Sequence, residues 1–104
     1  MSIKHHLDMP AIEAFCRKWR IVELSLFGSA VRDELRPDSD VDLLVSFEEN
    51  APWSLLDHTQ MEQELGELLG RRVDLVSRGG IERSRNHVRR QSILETAEPI
   101  YRAA

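Results

Sequence analysis

The spacing of apolar residues divides the chain into helical and extended segments. Near the beginning, Ile12, Phe15 and Trp19 recur at intervals of three and four residues, which is the repeat of one helix face. Asp8 precedes a proline here, and that order is typical of a helix start. The pattern therefore predicts a helix over Met9–Lys18 with an apolar side.

Four other segments are predicted to be extended. They are short and rich in branched and apolar residues, and most are bounded by glycine, proline or charged residues. The three longer strands are predicted at Ile21–Phe27, Val41–Phe47 and Val73–Ser77, and a short edge strand at Pro99–Tyr101.

Helices are predicted between these strands. Ser29 opens a helix-like stretch over 30–35, which ends before Pro37 because proline disfavours a helical conformation of the preceding residue. A long helix is predicted over Trp53–Leu69, with Gly70 as its C-terminal cap. Its apolar stripe, expected to pack on the sheet, comprises Leu55, His58, Met61, Leu65 and Leu68 or Leu69.

The last third of the chain is less regular. Residues 78–80 read as a turn, and Ile81–Glu95 contains helix formers with weak amphipathicity, so one helix is predicted there. The order of elements predicts a single α/β (α+β) domain over 1–104, with helices against a small mixed β-sheet.

Composition limits the class of protein. The chain has 104 residues, 41% of them hydrophobic, so one compact core is feasible without disulfides. Its one cysteine, Cys16, lies among helix formers and is interpreted as a buried small hydrophobe. No signal core or long apolar run is present, which predicts a cytoplasmic protein without membrane contact. The net charge of -4 argues against nucleic acid as a partner.

Candidate chemistry is concentrated between Phe27 and Phe47. Asp40 and Asp42 are two residues apart at the start of a strand, so both carboxylates point to one face. Just before them, a strand ends in Gly28-Ser29, where backbone N–H groups and a hydroxyl can approach a phosphate.

Asp74 is a natural third carboxylate. It lies inside a strand that is otherwise apolar, where a charge is costly unless it is paired or ligates a cation. Three carboxylates near a phosphate cradle form a site for a hard cation such as Mg²⁺. The alternative is an ion pair between Asp74 and Arg71 or Arg72.

This block resembles a known family. Gly28-Ser29, ten residues, Asp40-Val41-Asp42 and the later Asp74 are similar to the signature of the minimal nucleotidyltransferases of the DNA polymerase beta-like superfamily. The resemblance implies the nucleotidyltransferase fold, with Gly28 and Ser29 holding the terminal phosphates of a nucleotide. It also implies that Asp40 and Asp42 bind two Mg²⁺ ions, and that Asp74 binds the second and helps to deprotonate an acceptor hydroxyl.

The resemblance further implies an activity. Small members of this family are often paired with a HEPN-domain protein as antitoxin and toxin. The implied reaction transfers a nucleoside monophosphate, AMP from ATP in the first instance, to a hydroxyl such as a tyrosine of a HEPN toxin partner. Two alternatives stay open: a non-catalytic antitoxin that binds nucleotide or partner, and a transferase acting on a small molecule or an RNA end. A homo-oligomer or hetero-oligomer is compatible with each. One departure is Asp33, which replaces a glycine of the family pattern.

Charge is distributed unevenly along the chain. Residues 33–69 carry 1 positive and 11 negative charges, whereas residues 70–104 carry 8 positive and 4 negative. An acidic cleft repels a triphosphate until divalent cations bind, which again favours Mg²⁺. The basic stretch is interpreted as a solvated helix face or as a contact surface for an acidic partner, RNA or triphosphate; it contains Arg83, Arg85, Arg89 and Arg90.

Two other side chains have a functional and a structural interpretation. Trp53 could cover a nucleotide base, although packing in the core is the simpler reading. His58 falls on the apolar stripe of the long helix, where a hydrogen-bonded boundary histidine is expected rather than a ligand.

Overall fold

A four-stranded mixed sheet forms the centre of the molecule. The computed structural model describes residues 7–28, 31 and 40–103, so Ser29 and most of the predicted helical stretch 30–35 lie outside the described residues. The strand order is β3-β2-β1-β4, in which β1 is antiparallel to β2 and β4, and β2 is parallel to β3. The strands are β1 (Ile21–Phe27), β2 (Val41–Phe47), β3 (Val73–Ser77) and β4 (Glu98–Arg102). The predicted mixed sheet flanked by helices is confirmed.

The first two helices are close to their predicted bounds. Helix α1 covers Met9–Lys18 as predicted, and α2 covers Leu55–Leu69, two residues shorter than predicted at its start. The difference arises because Ser54 is the N-cap. Its hydroxyl accepts a hydrogen bond from the Asp57 backbone N–H, and the Asp57 carboxylate accepts one from the Ser54 backbone N–H. Gly70 ends α2 in the left-handed conformation, as predicted.

The prediction for the last third of the chain was wrong in part. The predicted turn is the first turn of a helix, α3 (Arg78–Glu82), and a separate helix, α4 (His87–Thr96), follows. Ser77 starts α3 because its hydroxyl accepts from Gly80 N at 3.1 Å. Asn86 starts α4 because its side chain accepts from Arg89 N at 3.0 Å. A polar cap inside the basic stretch therefore divides the expected single helix.

One side of the sheet, the packed face, is covered by α1 and α2. Alternate residues of the strands point to this side, as the two-residue repeat of a strand requires. The buried residues of this core are Ile12, Phe15, Cys16, Trp19, Ile21, Leu24, Leu26, Val41, Leu43, Val45, Met61, Leu65 and Leu75. The stripe predicted for α2 is thus correct at its centre. It is wrong at Leu55, which is 82% exposed, whereas the position predicted for Leu68 or Leu69 is filled by Leu69, which packs against this core.

The packed face contains two polar features of note. Cys16 is buried, and this burial, together with the charge of Glu13, raises its thiol pKa to about 12, so the thiol stays protonated. The interpretation of Cys16 as a small hydrophobe is confirmed. Glu64 joins the two helices: its carboxylate accepts hydrogen bonds from Lys18 at 2.8 Å, Trp19 at 3.0 Å and Gln60 at 2.9 Å. Desolvation acts to raise its pKa, but these bonds outweigh it and lower the pKa to about 2.

The opposite side of the sheet, the cleft face, is covered by α3 and α4. Its buried cluster is smaller and consists of Phe27, Leu44, Ile81 and Ile93. Asp42 and Asp74 occupy strand positions that alternate with the packed-face residues, so both carboxylates lie on the cleft face. No helix in the described part of the chain is long and apolar enough to span a bilayer.

Candidate functional site

Two of the predicted carboxylates are neighbours across the sheet. Asp42 of β2 is the direct register partner of Asp74 in the parallel strand β3. Parallel neighbours on one face of a sheet lie at the spacing of adjacent strands, about 5 Å. The structure therefore places Asp42 and Asp74 side by side, and this pairing joins positions 32 residues apart in sequence.

The Asp42 carboxyl is in an unfavourable environment for a negative charge. Partial burial raises its pKa, the charges of Asp74 and Asp40 raise it further, and the Arg89 guanidinium acts in the opposite direction. Like charges held next to one another are stabilised when a cation binds between or beside them. The two neighbouring carboxylates therefore favour the binding of a cation.

Asp40 lies next to this pair but has a partner of its own. Arg72 Nε is 3.2 Å from Asp40 Oδ1, and both side chains are more than half exposed. The ion pair considered for Asp74 and Arg72 is therefore formed by Asp40 instead. Asp74 is itself exposed on the edge strand β3, so its charge does not carry the cost that was expected inside an apolar strand. Its position on the cleft face brings it to the site.

Gly28 lies beside the Asp42 carboxylate and leaves space there because it has no side chain. This residue ends β1 with φ of +68°, and a β-carbon built there would lie only 2.7 Å from Asp42 Oδ2. A side chain would therefore collide with the carboxylate as well as strain the backbone. The absence of a side chain at Gly28 keeps the space beside Asp42 free for a ligand.

Helix α4 provides the remaining wall. A cavity of about 480 Å³ lies between it and the strand ends, a size that accommodates a small ligand or cofactor. The lining residues are Phe27, Gly28, Asp42, Asp74, Asn86, Val88, Arg89, Ser92, Ile93 and Thr96. Asp40 is not among them. The described residues thus bring Gly28, Asp42 and Asp74 together around one cavity.

Arg89 was not predicted to line this cavity, because the arginines of the basic stretch were considered as one group. The sequence nevertheless contains the three-and-four spacing of a single helix face at Arg89, Ser92, Ile93 and Thr96. Ile93 packs against the sheet, which turns Arg89 and the two hydroxyl residues of that face toward the carboxylates. The helical repeat from Ile93 was the signal that could have found Arg89.

The donor set is suited to a hard cation. In residues 7–28, 31 and 40–103, no three side chains of the His, Cys, Asp and Glu types are grouped closely enough to hold an ion. Asp42 and Asp74 nevertheless offer carboxylate oxygens on one face, with Asp40 two residues away on a solvent-exposed ion pair. Carboxylate oxygens are the ligands that Mg²⁺ prefers, so the residues present fit this ion.

Two other candidates are structural. Trp53 packs edge-on against Trp19 at 5.1 Å between ring centroids, and its Nε1 donates to the Trp19 carbonyl at 2.7 Å. It packs against the core and does not line the cavity that contains Asp42, which confirms the simpler, structural interpretation of Trp53. His58 is hydrogen-bonded through Nε2 to the Leu75 carbonyl, which confirms it as a satisfied boundary histidine.

Comparison with known proteins defines the class. A family model described as a nucleotidyltransferase domain matches residues 9–98, and the chain therefore belongs to this family. A protein from Thermococcus cleftensis named protein adenylyltransferase MntA is 47% identical over 64 residues, which are 62% of this chain and 63% of that protein. A relative from Methanocaldococcus jannaschii, described as a protein adenylyltransferase, is 38% identical over the same length. The matched stretch thus spans less than two thirds of the curated relatives.

Solved structures agree with this assignment. The structure of a minimal nucleotidyltransferase is 38% identical, has a TM-score of 0.73, and is matched over 96% of this chain and 97% of that one. A toxin-antitoxin complex with AMP-PNP is 22% identical, with a TM-score of 0.71 over 93% and 75% of the two chains. A complex of a tri-AMPylated Shewanella oneidensis HEPN toxin with its MNT antitoxin is 21% identical, with a TM-score of 0.60 over 90% and 69%. The last two likenesses show the fold alone.

Proposed function

We propose that this chain is a Mg²⁺-dependent nucleotidyltransferase that transfers AMP from ATP to a hydroxyl of a protein, namely a tyrosine of a HEPN partner. In this proposal one minimal domain acts as the antitoxin by modifying its toxin. The single observation that carries it is the Asp42–Asp74 pair beside Gly28, within one cavity under α4.

Each proposed site residue has a role in this reaction. Asp40, Asp42 and Asp74 would hold two Mg²⁺ ions, for which Asp40 must leave Arg72. That exchange is easy because an exposed ion pair contributes only about 0–1 kcal/mol. When bound, the ions neutralise phosphate charge and align the attacking and leaving oxygens. Gly28 and Ser29 would hold the terminal phosphates through backbone N–H groups and the serine hydroxyl.

The proposed reaction forms one bond to phosphorus and breaks another, and it needs no cofactor other than Mg²⁺. The acceptor hydroxyl oxygen forms a bond to the α-phosphorus of ATP, and the bond from that phosphorus to the β-phosphate oxygen breaks. Pyrophosphate leaves, and the hydroxyl proton passes to the carboxylate of Asp74, which is exposed at the edge of the sheet. Because transfer depends on positioning and charge neutralisation, few side chains are needed.

Similar proteins support the choice of nucleotide and acceptor. Two curated relatives are named protein adenylyltransferases. One structural neighbour contains AMP-PNP, and another contains an AMPylated HEPN toxin. These names concern those proteins, and here they make ATP and a HEPN protein the first substrates to test.

The test is a transfer assay with α-labelled ATP, Mg²⁺ and the HEPN-domain partner. Wild type, Asp42→Asn and Asp40→Asn are compared, with Glu49→Gln as the matched control because Glu49 is an exposed acidic residue away from the cavity. We expect wild type and Glu49→Gln to label the partner, with loss of labelling of about 10²–10³-fold or more in the two aspartate variants.

The outcomes separate the alternatives. Equal labelling by wild type and Asp42→Asn contradicts the assignment of the aspartates. Neutralisation of the partner by wild type and Asp42→Asn alike, with no labelling, indicates a binding antitoxin instead. Labelling of RNA ends or a small molecule, but not of protein, indicates the other class of transferase.

A further inference from the structure

We propose that Arg89 is a substrate-binding residue of this site and that its guanidinium binds the phosphate oxygens of a nucleoside triphosphate from the side opposite the carboxylates. The inference rests on the proposed nucleotidyl transfer and adds a residue to it. It gives one arginine of the basic stretch a role in ligand binding, which the sequence alone did not decide.

The position of Arg89 comes from the packing of α4. Ile93 is 95% buried in the cleft-face cluster and fixes which side of α4 faces the sheet. Arg89 precedes it by four residues, hence one turn, and lies on the same side of the helix. Ser92 and Thr96 continue this side, and all four residues line the cavity with Gly28, Asp42 and Asp74.

The guanidinium of Arg89 is not committed to another group in the described part of the chain. Its charge acts on Asp42, yet no salt bridge within 4.0 Å or side-chain hydrogen bond joins it to any described residue. Neighbouring Arg90, by contrast, donates to the Glu82 carbonyl at 3.3 Å and contacts His87 Nδ1 at 2.7 Å. Arg89 is therefore available to a ligand in a way that Arg90 is not.

The chemistry of the cavity favours phosphate as the group that Arg89 binds. One wall is anionic and suited to a cation, while the opposite wall presents a planar cation with several N–H donors. A triphosphate with bound Mg²⁺ has both complementary parts, since its metal faces carboxylates and its non-bridging oxygens match a guanidinium. Such a contact also stabilises the negative charge that develops on the pyrophosphate as it leaves.

Arg85 provides a matched control. It is exposed and belongs to the same basic stretch, but it precedes the α4 cap and does not line the cavity. Removing its charge changes the overall electrostatics by the same amount as removing that of Arg89. A difference between the two variants therefore reports position rather than net charge.

The experiment measures binding of Mg²⁺·ATP and of adenosine by calorimetry to wild type, Arg89→Gln, Arg89→Lys and Arg85→Gln, after thermal melting has verified folding. We expect Arg89→Gln to weaken ATP binding by about 10- to 100-fold and to leave adenosine binding unchanged. Arg89→Lys should fall between Arg89→Gln and wild type, because lysine keeps the charge but not the planar fork. Arg85→Gln should bind ATP like wild type.

Unchanged ATP binding by Arg89→Gln, or equal losses for ATP and adenosine, overturns the role of Arg89. ATP binding by wild type without transfer to any acceptor contradicts the proposed function and leaves the binding role of Arg89 intact. Absence of ATP binding by folded wild type overturns both.

Discussion

The two faces of the sheet differ in how they are filled. In the described part of the chain, the packed face buries thirteen residues of α1, α2 and the strands, and at its border Glu64 accepts hydrogen bonds from Lys18, Trp19 and Gln60. The cleft face buries four residues under α3 and α4 and leaves a cavity of about 480 Å³. It also holds two neighbouring carboxylates that repel each other.

This difference separates stability from chemistry within one small domain. A strand has two sides, so a single strand such as β2 contributes Val41, Leu43 and Val45 to the core and Asp42 to the site. The free energy gained by hydrophobic burial on one side can offset the cost of unfavourable charge on the other. We therefore expect substitutions on the packed face to change mainly the free energy of unfolding, whereas substitutions of cavity residues on the cleft face should also change ligand binding.

The largest effect on stability is expected at Leu65, which is fully buried. Leu65→Ala should lower the free energy of unfolding by about 3–5 kcal/mol, because it leaves a cavity in close-packed surroundings. Ile93→Ala on the cleft face should cost less, about 2 kcal/mol, since its cluster is small and borders an open cavity. Urea unfolding of both variants measures this contrast, and a greater loss for Ile93→Ala would show that the cleft face holds the fold together.

Gly28 is the next test. Gly28→Ala should lower the free energy of unfolding by about 1–3 kcal/mol, because it strains a backbone with positive φ and forces its β-carbon against Asp42. The same substitution should reduce ATP binding, since it fills the space beside the carboxylate. Gly79→Ala is the control, because its β-carbon would meet only the Arg83 side chain at 3.8 Å or more. Equal effects at both glycines would contradict a special role for Gly28.

A smaller effect is expected at Glu64. Because its folded pKa of about 2 lies below the unfolded value near 4.5, its carboxylate stabilises the fold above pH 4.5, and this contribution disappears as the pH falls toward 2. Glu64→Gln should therefore cost about 1 kcal/mol at pH 7 and progressively less in acid. Denaturant unfolding at several pH values measures this loss in free energy of unfolding. Glu67→Gln is the control, because Glu67 is an exposed neighbour in α2. A difference that does not shrink in acid would indicate a loss of packing instead.

The packed face was the more predictable of the two. The bounds of α1 and of β1, β2 and β3 follow from strong apolar patterns and clear end signals. Helix α2 was misjudged at its start because Ser54 and Asp57 form a capping box, which excludes Trp53 from the helix. The split between α3 and α4 was missed because Asn86 acts through one cap hydrogen bond, which a weakly amphipathic segment does not reveal.

The residue types that form the candidate site could be predicted from the sequence, but their arrangement in space could not. The spacing of Asp40 and Asp42 gives a shared face, whereas the register that pairs Asp42 with Asp74 depends on tertiary packing of β3. The Asp40–Arg72 ion pair and the place of Arg89 also depend on contacts between elements distant in sequence. Local periodicity carries no information about such contacts between elements, although the helical repeat from Ile93 does identify the side of α4 on which Arg89 lies.

The most direct test of the division between the two faces uses one isosteric change, Asp42→Asn. The raised pKa of Asp42 means that its charge destabilises the fold at neutral pH and that wild type gains stability as the pH falls through that pKa. Removing the charge should therefore raise the melting temperature of the chain without ligand. The same change should remove a proposed ligand for Mg²⁺ and so abolish nucleotide binding.

Thermal melting of wild type and Asp42→Asn, each with and without Mg²⁺·ATP, measures both effects together. We expect the variant to melt above wild type without ligand, and Mg²⁺·ATP to stabilise only wild type, by about 2.7 kcal/mol at a hundredfold excess over Kd. A variant that melts below wild type without ligand, or that Mg²⁺·ATP stabilises as much as wild type, would contradict the proposed role of Asp42.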